Sequence, residues 1–101
     1  MAKMKITVLK TMANQDLADK YCEPGAQVPC GCFTEGQEFI IEPGKKPEKF
    51  CDWAWNDLQK TYMTMRQGGS FPGWMKDPDT MISCCTDGIR PVVFELKRLS
   101  D

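Results

Sequence analysis

Cys51, Trp55, Leu58, Tyr62 and Met65 recur three or four residues apart, the spacing of one face of an α-helix. At 100° per residue they fall within about 80° of arc. Pro47 near the first turn and Gly68-Gly69 just past the end are start and stop signals. The pattern therefore predicts one long helix from about residue 47 to residue 67. A lone amphipathic helix cannot bury its stripe on itself, so the rest of the chain must supply a surface for it.

That surface reads as strands. Met4, Ile6 and Val8 alternate with Lys3, Lys5 and Thr7, the period of a half-buried strand. Gly36 opens a second strand over 37–42, with Phe39 and Ile41 on one face. Residues 80–86 read as a third strand, Asp87-Gly88 as a turn, and 89–99 as a fourth strand. Val92, Phe94 and Leu96 share a face there, and Pro91 puts the start of that strand at an edge or a bulge. A short helix is expected over 14–22, with Asn14 as cap, Asp16 in the first turn, and Pro24-Gly25 ending it. The order is β-α-β-α-β-β. It predicts an α+β fold: a small, mostly antiparallel four-stranded sheet, open or curled, packed by the long helix. Residues 1–101 make a single domain, since a chain of this size buries roughly two thirds of its unfolded surface around one core. No glycine-rich phosphate loop follows the first strand, which argues against a doubly wound parallel fold.

Thirteen Lys plus Arg stand against fourteen Asp plus Glu. A formal charge of −1 lacks the basic footprint of a general nucleic-acid binder or a membrane-surface protein. No apolar run is long enough to span a bilayer, and residues 1–10 show no secretory signal, so a cytoplasmic location is expected. The absence of histidine removes Ser-His-Asp and Cys-His catalysis and every His-ligated metal site.

The six cysteines are Cys22, Cys30, Cys32, Cys51, Cys84 and Cys85. One C-x-C and one adjacent pair are poor spacings for a disulfide framework, so reduced thiols are expected. There is no C-x-x-C, hence neither a zinc knuckle nor a thioredoxin-like motif. Cys51 at a helix start is chemically attractive, because a helix N-terminus favours the thiolate. The competing reading is that these thiols pack as small hydrophobes, Cys51 on the helix stripe and Cys84 or Cys85 facing inward by strand alternation.

The stretches KITVLK, PCGCFTEGQEFIIE, FCDWAW, FPGWMK and CCTDGIRPVVFELKRL follow one another over nearly the whole chain. In this order and spacing the chain resembles a family of small prokaryotic proteins, of about ninety residues, whose function is uncharacterised. The resemblance implies that Cys30, Cys51 and Cys84 are the cysteines of the family pattern. Cys32 and Cys85 are then additions of this chain.

FCDWAW and CCTDGIRP are the chemically richest stretches. They point to Cys30, Cys51 and Cys84 as a soft-ligand or thiol-redox set, with Asp87 and Arg90 nearby. Arg90 can hold a carboxylate or phosphate by its fork, and Asp87 can serve as a base or shape the turn. Trp74, on the loop FPGWMK, can wall a ligand cleft as a lid, plug the core, or meet another subunit. Trp53, Phe71, Trp74 and Met75 lie outside the helix stripe, which favours a homo-oligomer with a dimer as default. Three classes follow. The first, preferred, is a binding or accessory domain without catalysis of its own. The second is a thiolate metal site, with zinc or iron–sulfur as the cofactor, or a thiol-redox protein. The third is a small enzyme, disfavoured by the missing histidine.

Overall fold

Alternation along Lys3–Thr11 buries Met4, Ile6 and Val8 and turns Lys5 and Thr7 outward, making β1 the inner strand of a sheet. The computed structural model of the protein describes residues 3–100. After β1 come α1 (Gln15–Tyr21), β2 (Glu38–Ile41), α2 (Asp52–Arg66), β3 (Thr80–Cys84) and β4 (Val92–Ser100). The strands form one open antiparallel sheet in the order β2-β1-β4-β3. Ile6 stands opposite Phe39 on one side and Leu96 on the other, so apolar residues from three strands meet on one face. The expected α+β architecture and element order hold, and the sheet is open rather than curled shut.

Helix α2 covers that face against β3 and β4, burying Ala54, Leu58, Thr61, Tyr62 and Met65. Each large apolar side chain removed from water contributes roughly 1.5–3 kcal/mol before entropy is counted. The helix starts later than the sequence pattern predicts. Lys49 takes φ +65°, a left-handed conformation that no α-helix accommodates, so residues 47–50 form a turn instead. Cys51 becomes the N-cap residue, and Cys51 and Trp55 sit at the margin of the core rather than in its centre.

The helix ends as its glycines predict. Gly68 at φ +94° donates to the Met65 carbonyl, and Gly69 N–H donates to Thr64 O at 2.9 Å, the paired bonds of a Schellman cap. Arg98 then reaches from β4 to the same end. Its Nη1 donates to Met65 O at 2.6 Å and Gly69 O at 2.7 Å, and its Nε donates to Asp79 Oδ1 at 3.0 Å.

Two boundary expectations shift for local reasons. Strand β4 begins at Val92, not residue 89, because the Asp87 carboxylate takes the Ile89 and Arg90 N–H groups and Pro91 has none. Asn14 does not cap α1 with its side chain. It donates instead to Gly88 O at 2.6 Å, tying the start of α1 to the β3–β4 connection.

Candidate functional site

Three cysteine-bearing segments are each fixed by an adjacent buried anchor. Phe33, next to Cys32, is buried although it belongs to a loop. Its ring lies 5.0 Å from Phe50, 5.1 Å from Phe94 and 6.1 Å from Phe39. Phe50, next to Cys51, enters the same cluster. Cys85 is the inward position after β3: its N–H donates to Val92 O at 3.1 Å, and its Sγ accepts Val92 N–H at 3.3 Å. The aromatic core thus delivers the C-x-C loop, the start of α2 and the end of β3 to one place.

There they enclose a cavity of about 390 Å³, within the size range of small-molecule sites. Cys30, Cys32, Cys51 and Cys85 all line it, with Phe33, Ala54 and Val92 as apolar wall and Arg90 and Thr86 as polar groups. Trp53 stands at its edge, 63% exposed. Its indole N–H donates to Thr86 Oγ1 at 3.0 Å, and Asp57 accepts both the Thr86 hydroxyl and the Thr86 N–H, the latter at 2.7 Å. The first turns of α2 are therefore braced to the segment that carries Asp87 and Arg90.

Asp87 holds that segment in shape. Its Oδ1 accepts Ile89 N–H at 2.9 Å and Arg90 N–H at 3.0 Å, while its Oδ2 accepts Arg90 Nε–H at 2.9 Å. Partial burial works to raise the Asp87 pKa, but the Arg90 and Ile89 hydrogen bonds together outweigh it and hold the carboxyl below its usual value. The same hydrogen bond to Asp87 raises the pKa of Arg90. Arg90 Nη1 also donates to Gln27 O at 3.4 Å, and among the described residues Nη2 makes no hydrogen bond.

The C-x-C loop is its own small system. The chain bends at Gly31 and Cys32, and Cys30 Sγ accepts the Cys32 N–H at 3.5 Å. The Cys32 thiol pKa is raised, first by its hydrogen bond with Cys30, then by burial and by the nearness of Cys30 and Cys51. Arg90 pulls the other way.

The residues singled out from the sequence divide between two places. Cys30, Cys51, Asp87 and Arg90 share the cavity just described. Cys84 and Trp74 do not join them. Both line a second, more apolar cavity of about 530 Å³ between α2, the 71–74 loop and β3, with Phe71, Met81, Ile82 and Val93. Cys84 faces outward and Cys85 inward, so Cys85 and not Cys84 joins Cys30 and Cys51. The soft-ligand set of Cys30, Cys51 and Cys84 is thereby split across β3. All six cysteines are free, and among the described residues no group of three or more Cys, Asp or Glu side chains is disposed to hold a metal ion.

Sequence reasoning missed Thr86 and Asp57 and assigned Trp53 no role at the site. The signal for Trp53 was present, since an outward Trp in the first turn of a helix asks for a neighbour. The Asp57–Thr86 pairing carries no local signal across its 29-residue separation. Chemically, the cavity joins soft sulfur groups, an apolar wall, the Asp87 carboxylate and the Arg90 guanidinium, which gives its Nε–H to Asp87 and keeps Nη2 for a ligand. That combination suits a small organic molecule with an anionic end. Set against family models, curated proteins and solved structures, the chain matches none of the three, so the chemistry of the site rests on its own residues.

Proposed function

We propose that this protein is a small binding domain, without catalysis of its own, whose ligand is a small carboxylate-bearing organic molecule seated in the thiol-lined cavity. The observation that supports this reading is the convergence of Cys30, Cys32, Cys51 and Cys85 with Arg90 around one space at the start of α2. The apolar wall contributes affinity by excluding water, and Arg90 orients the anionic end. Free thiols at such a site belong with a reducing compartment. Titration of 15N-labelled reduced protein with reduced glutathione, citrate and inorganic phosphate tests it. Saturable shifts at Cys51, Thr86 and Arg90 are expected for glutathione, weakened roughly tenfold by Arg90→Ala, the scale of one charge-assisted hydrogen bond. No saturable shift with any of the three probes overturns the reading.

A second copy of the chain is the occupant we propose for the other cavity. Strand β3 is an edge strand, pairing on one side with β4, and Ile82 and the 68%-exposed Trp74 flank its open side. Antiparallel β3–β3 pairing across a two-fold axis would complete the ladder with the same strand chemistry. Sedimentation of the native chain is expected to give a dimer, and Ile82→Lys a folded monomer. A wild-type monomer overturns the pairing.

A further inference from the structure

The binding reading leaves the Cys30–Cys32 pair without a task. Two thiols one residue apart are not required by packing, because Cys32 is exposed and Cys30 only half-buried at the edge of the core. The loop between them is bent, and Gly31 puts no side chain in the way. A Cβ at Gly31 would lie 2.3 Å from Gln27 Nε2, so a larger residue there displaces Gln27. Both sulfurs line the cavity that holds Arg90.

We propose that Cys30 and Cys32 form a dithiol redox site that reduces a small carboxylate-bearing disulfide held in this cavity. This rests on the binding half of the reading above, since the disulfide must first enter the cavity, and replaces its other half, the absence of chemistry at the site. Cys30 is the attacking sulfur. Its Sγ lines the cavity and accepts the Cys32 N–H at 3.5 Å, which fixes the sulfur beside the space the substrate enters. Cys32, exposed and across Gly31 from it, is the resolving thiol.

The Cys30 thiolate attacks one sulfur of the disulfide. A Cys30–S bond forms, the substrate S–S bond breaks, and the departing thiolate takes up a proton. Cys32 then gives up its proton and attacks Cys30 Sγ, closing the Cys30–Cys32 disulfide and releasing the second substrate half as a thiol. Two electrons pass from the protein dithiol to the substrate disulfide, and no other reductant is needed. A disulfide across a single intervening residue closes a strained small ring, and strained disulfides are the easily reduced ones, so a later dithiol can restore the pair. A small disulfide is the substrate that matches a cavity of about 390 Å³ beside Cys30.

The test exposes reduced protein, under argon, to excess glutathione disulfide and follows intact mass with peptide mapping. The wild type is expected to lose two hydrogens, retain no adduct, and show one bond between Cys30 and Cys32. Cys32→Ser is expected to hold a glutathione adduct at Cys30, formed faster than any adduct at the more exposed Cys84. Cys30→Ser is expected to form neither. Arg90→Ala should slow the reaction with glutathione disulfide roughly tenfold more than the reaction with uncharged 2-hydroxyethyl disulfide, the scale of one charge-assisted bond. As a readout on the unmutated chain, phenylarsine oxide should bridge one dithiol per molecule and be blocked by prior oxidation. Adducts that favour Cys84, a disulfide elsewhere, or a Cys32→Ser protein that captures nothing overturn the proposal. If Cys32→Ser captures nothing yet still binds reduced glutathione, the redox step alone has failed. If wild-type protein shows neither binding nor exchange, the binding reading has failed with it.

Discussion

Asp87 shows how much one side chain organises here. Its carboxylate accepts three hydrogen bonds, and two of them satisfy the backbone N–H groups that a β-ladder would otherwise claim. Because its folded pKa lies below the ordinary aspartate value of about 3.9, the ionised form stabilises the folded hairpin. That contribution is complete above the unfolded pKa and is lost as pH falls through the lower folded value. Asp87→Asn should therefore cost stability at neutral pH, where the Asn Oδ1 can still accept both N–H groups but its amide nitrogen cannot accept from Arg90 Nε. It should also lose less on further acidification, from about pH 5 to about pH 2, than the wild type does. Asp77, whose pKa is also lowered, first by the Asp79 N–H it accepts, titrates in both proteins and drops out of the difference. Urea denaturation of both proteins across that range measures it, and parallel stability–pH curves would show that Asp87 is not the titrating group. At this scale the sequence was partly legible. Asp87 and Arg90 were recognisable as a turn acid and a forked base, and they are three residues apart. Which of Cys84 and Cys85 faces the core was not legible, because alternation states only that they face oppositely and leaves open which face is covered.

Among the elements, periodicity carried the pattern and the punctuation misled at the ends. Strand β1 and the pair β3 and β4 follow alternation that a sheet with one buried face enforces, and the Gly68-Gly69 stop sits where the Schellman cap forms. The start of α2 lies later than Pro47 suggests, because a first-turn proline and a turn proline look alike in sequence. The residue that decides the start is Lys49, and a lysine gives no warning of a positive φ. Arg98 was equally silent, reading as one more charge on a strand. In the fold it closes the far end of α2, placing a guanidinium on carbonyls at the negative end of the helix dipole, with a further bond to Pro78 O at 2.9 Å. Arg98→Ala leaves those carbonyls without their partner and Asp79 without its ion pair. A loss of about 2–3 kcal/mol is expected, the scale of hydrogen bonds to a charged group. Amide exchange should speed up first in the last turn of α2, at Tyr62–Arg66, before the first turn responds. Uniform acceleration along α2 would mean that Arg98 supports the whole fold rather than its C-terminal cap.

Across the whole molecule, the core and the candidate site are one construction. Phe33, Phe39, Phe50 and Phe94 come from two loops and two strands, yet each ring lies within about 6 Å of at least two of the others. Edge-to-face pairs of this kind add about 0.5–1.5 kcal/mol each beyond area burial. The pull of Phe33 into this cluster is what holds Cys30 and Cys32 over the cavity, just as Phe50 fixes Cys51. Cys84 depends on none of these rings, since it projects from the outer face of β3 into the other cavity. Core packing should therefore tune thiol access at one cavity and not at the other. Phe33→Leu removes ring contacts while keeping an apolar side chain, at a cost of about 1–2 kcal/mol, small against the 5–15 kcal/mol of a typical domain. The fold should persist, and the C-x-C loop should open more often. Alkylation by iodoacetamide under native conditions, with each cysteine followed by mass spectrometry, reads the result. Cys30 is expected to react several-fold faster in the variant, with Cys51 following more weakly, while the rate at Cys84 stays as it was. If Cys84 accelerates in step with Cys30, the variant is reporting global unfolding, and the claim that the aromatic cluster specifically positions the thiol loop is wrong. If Cys30 does not accelerate at all, the loop is held by its own bend and by Arg90, and Phe33 contributes to stability alone.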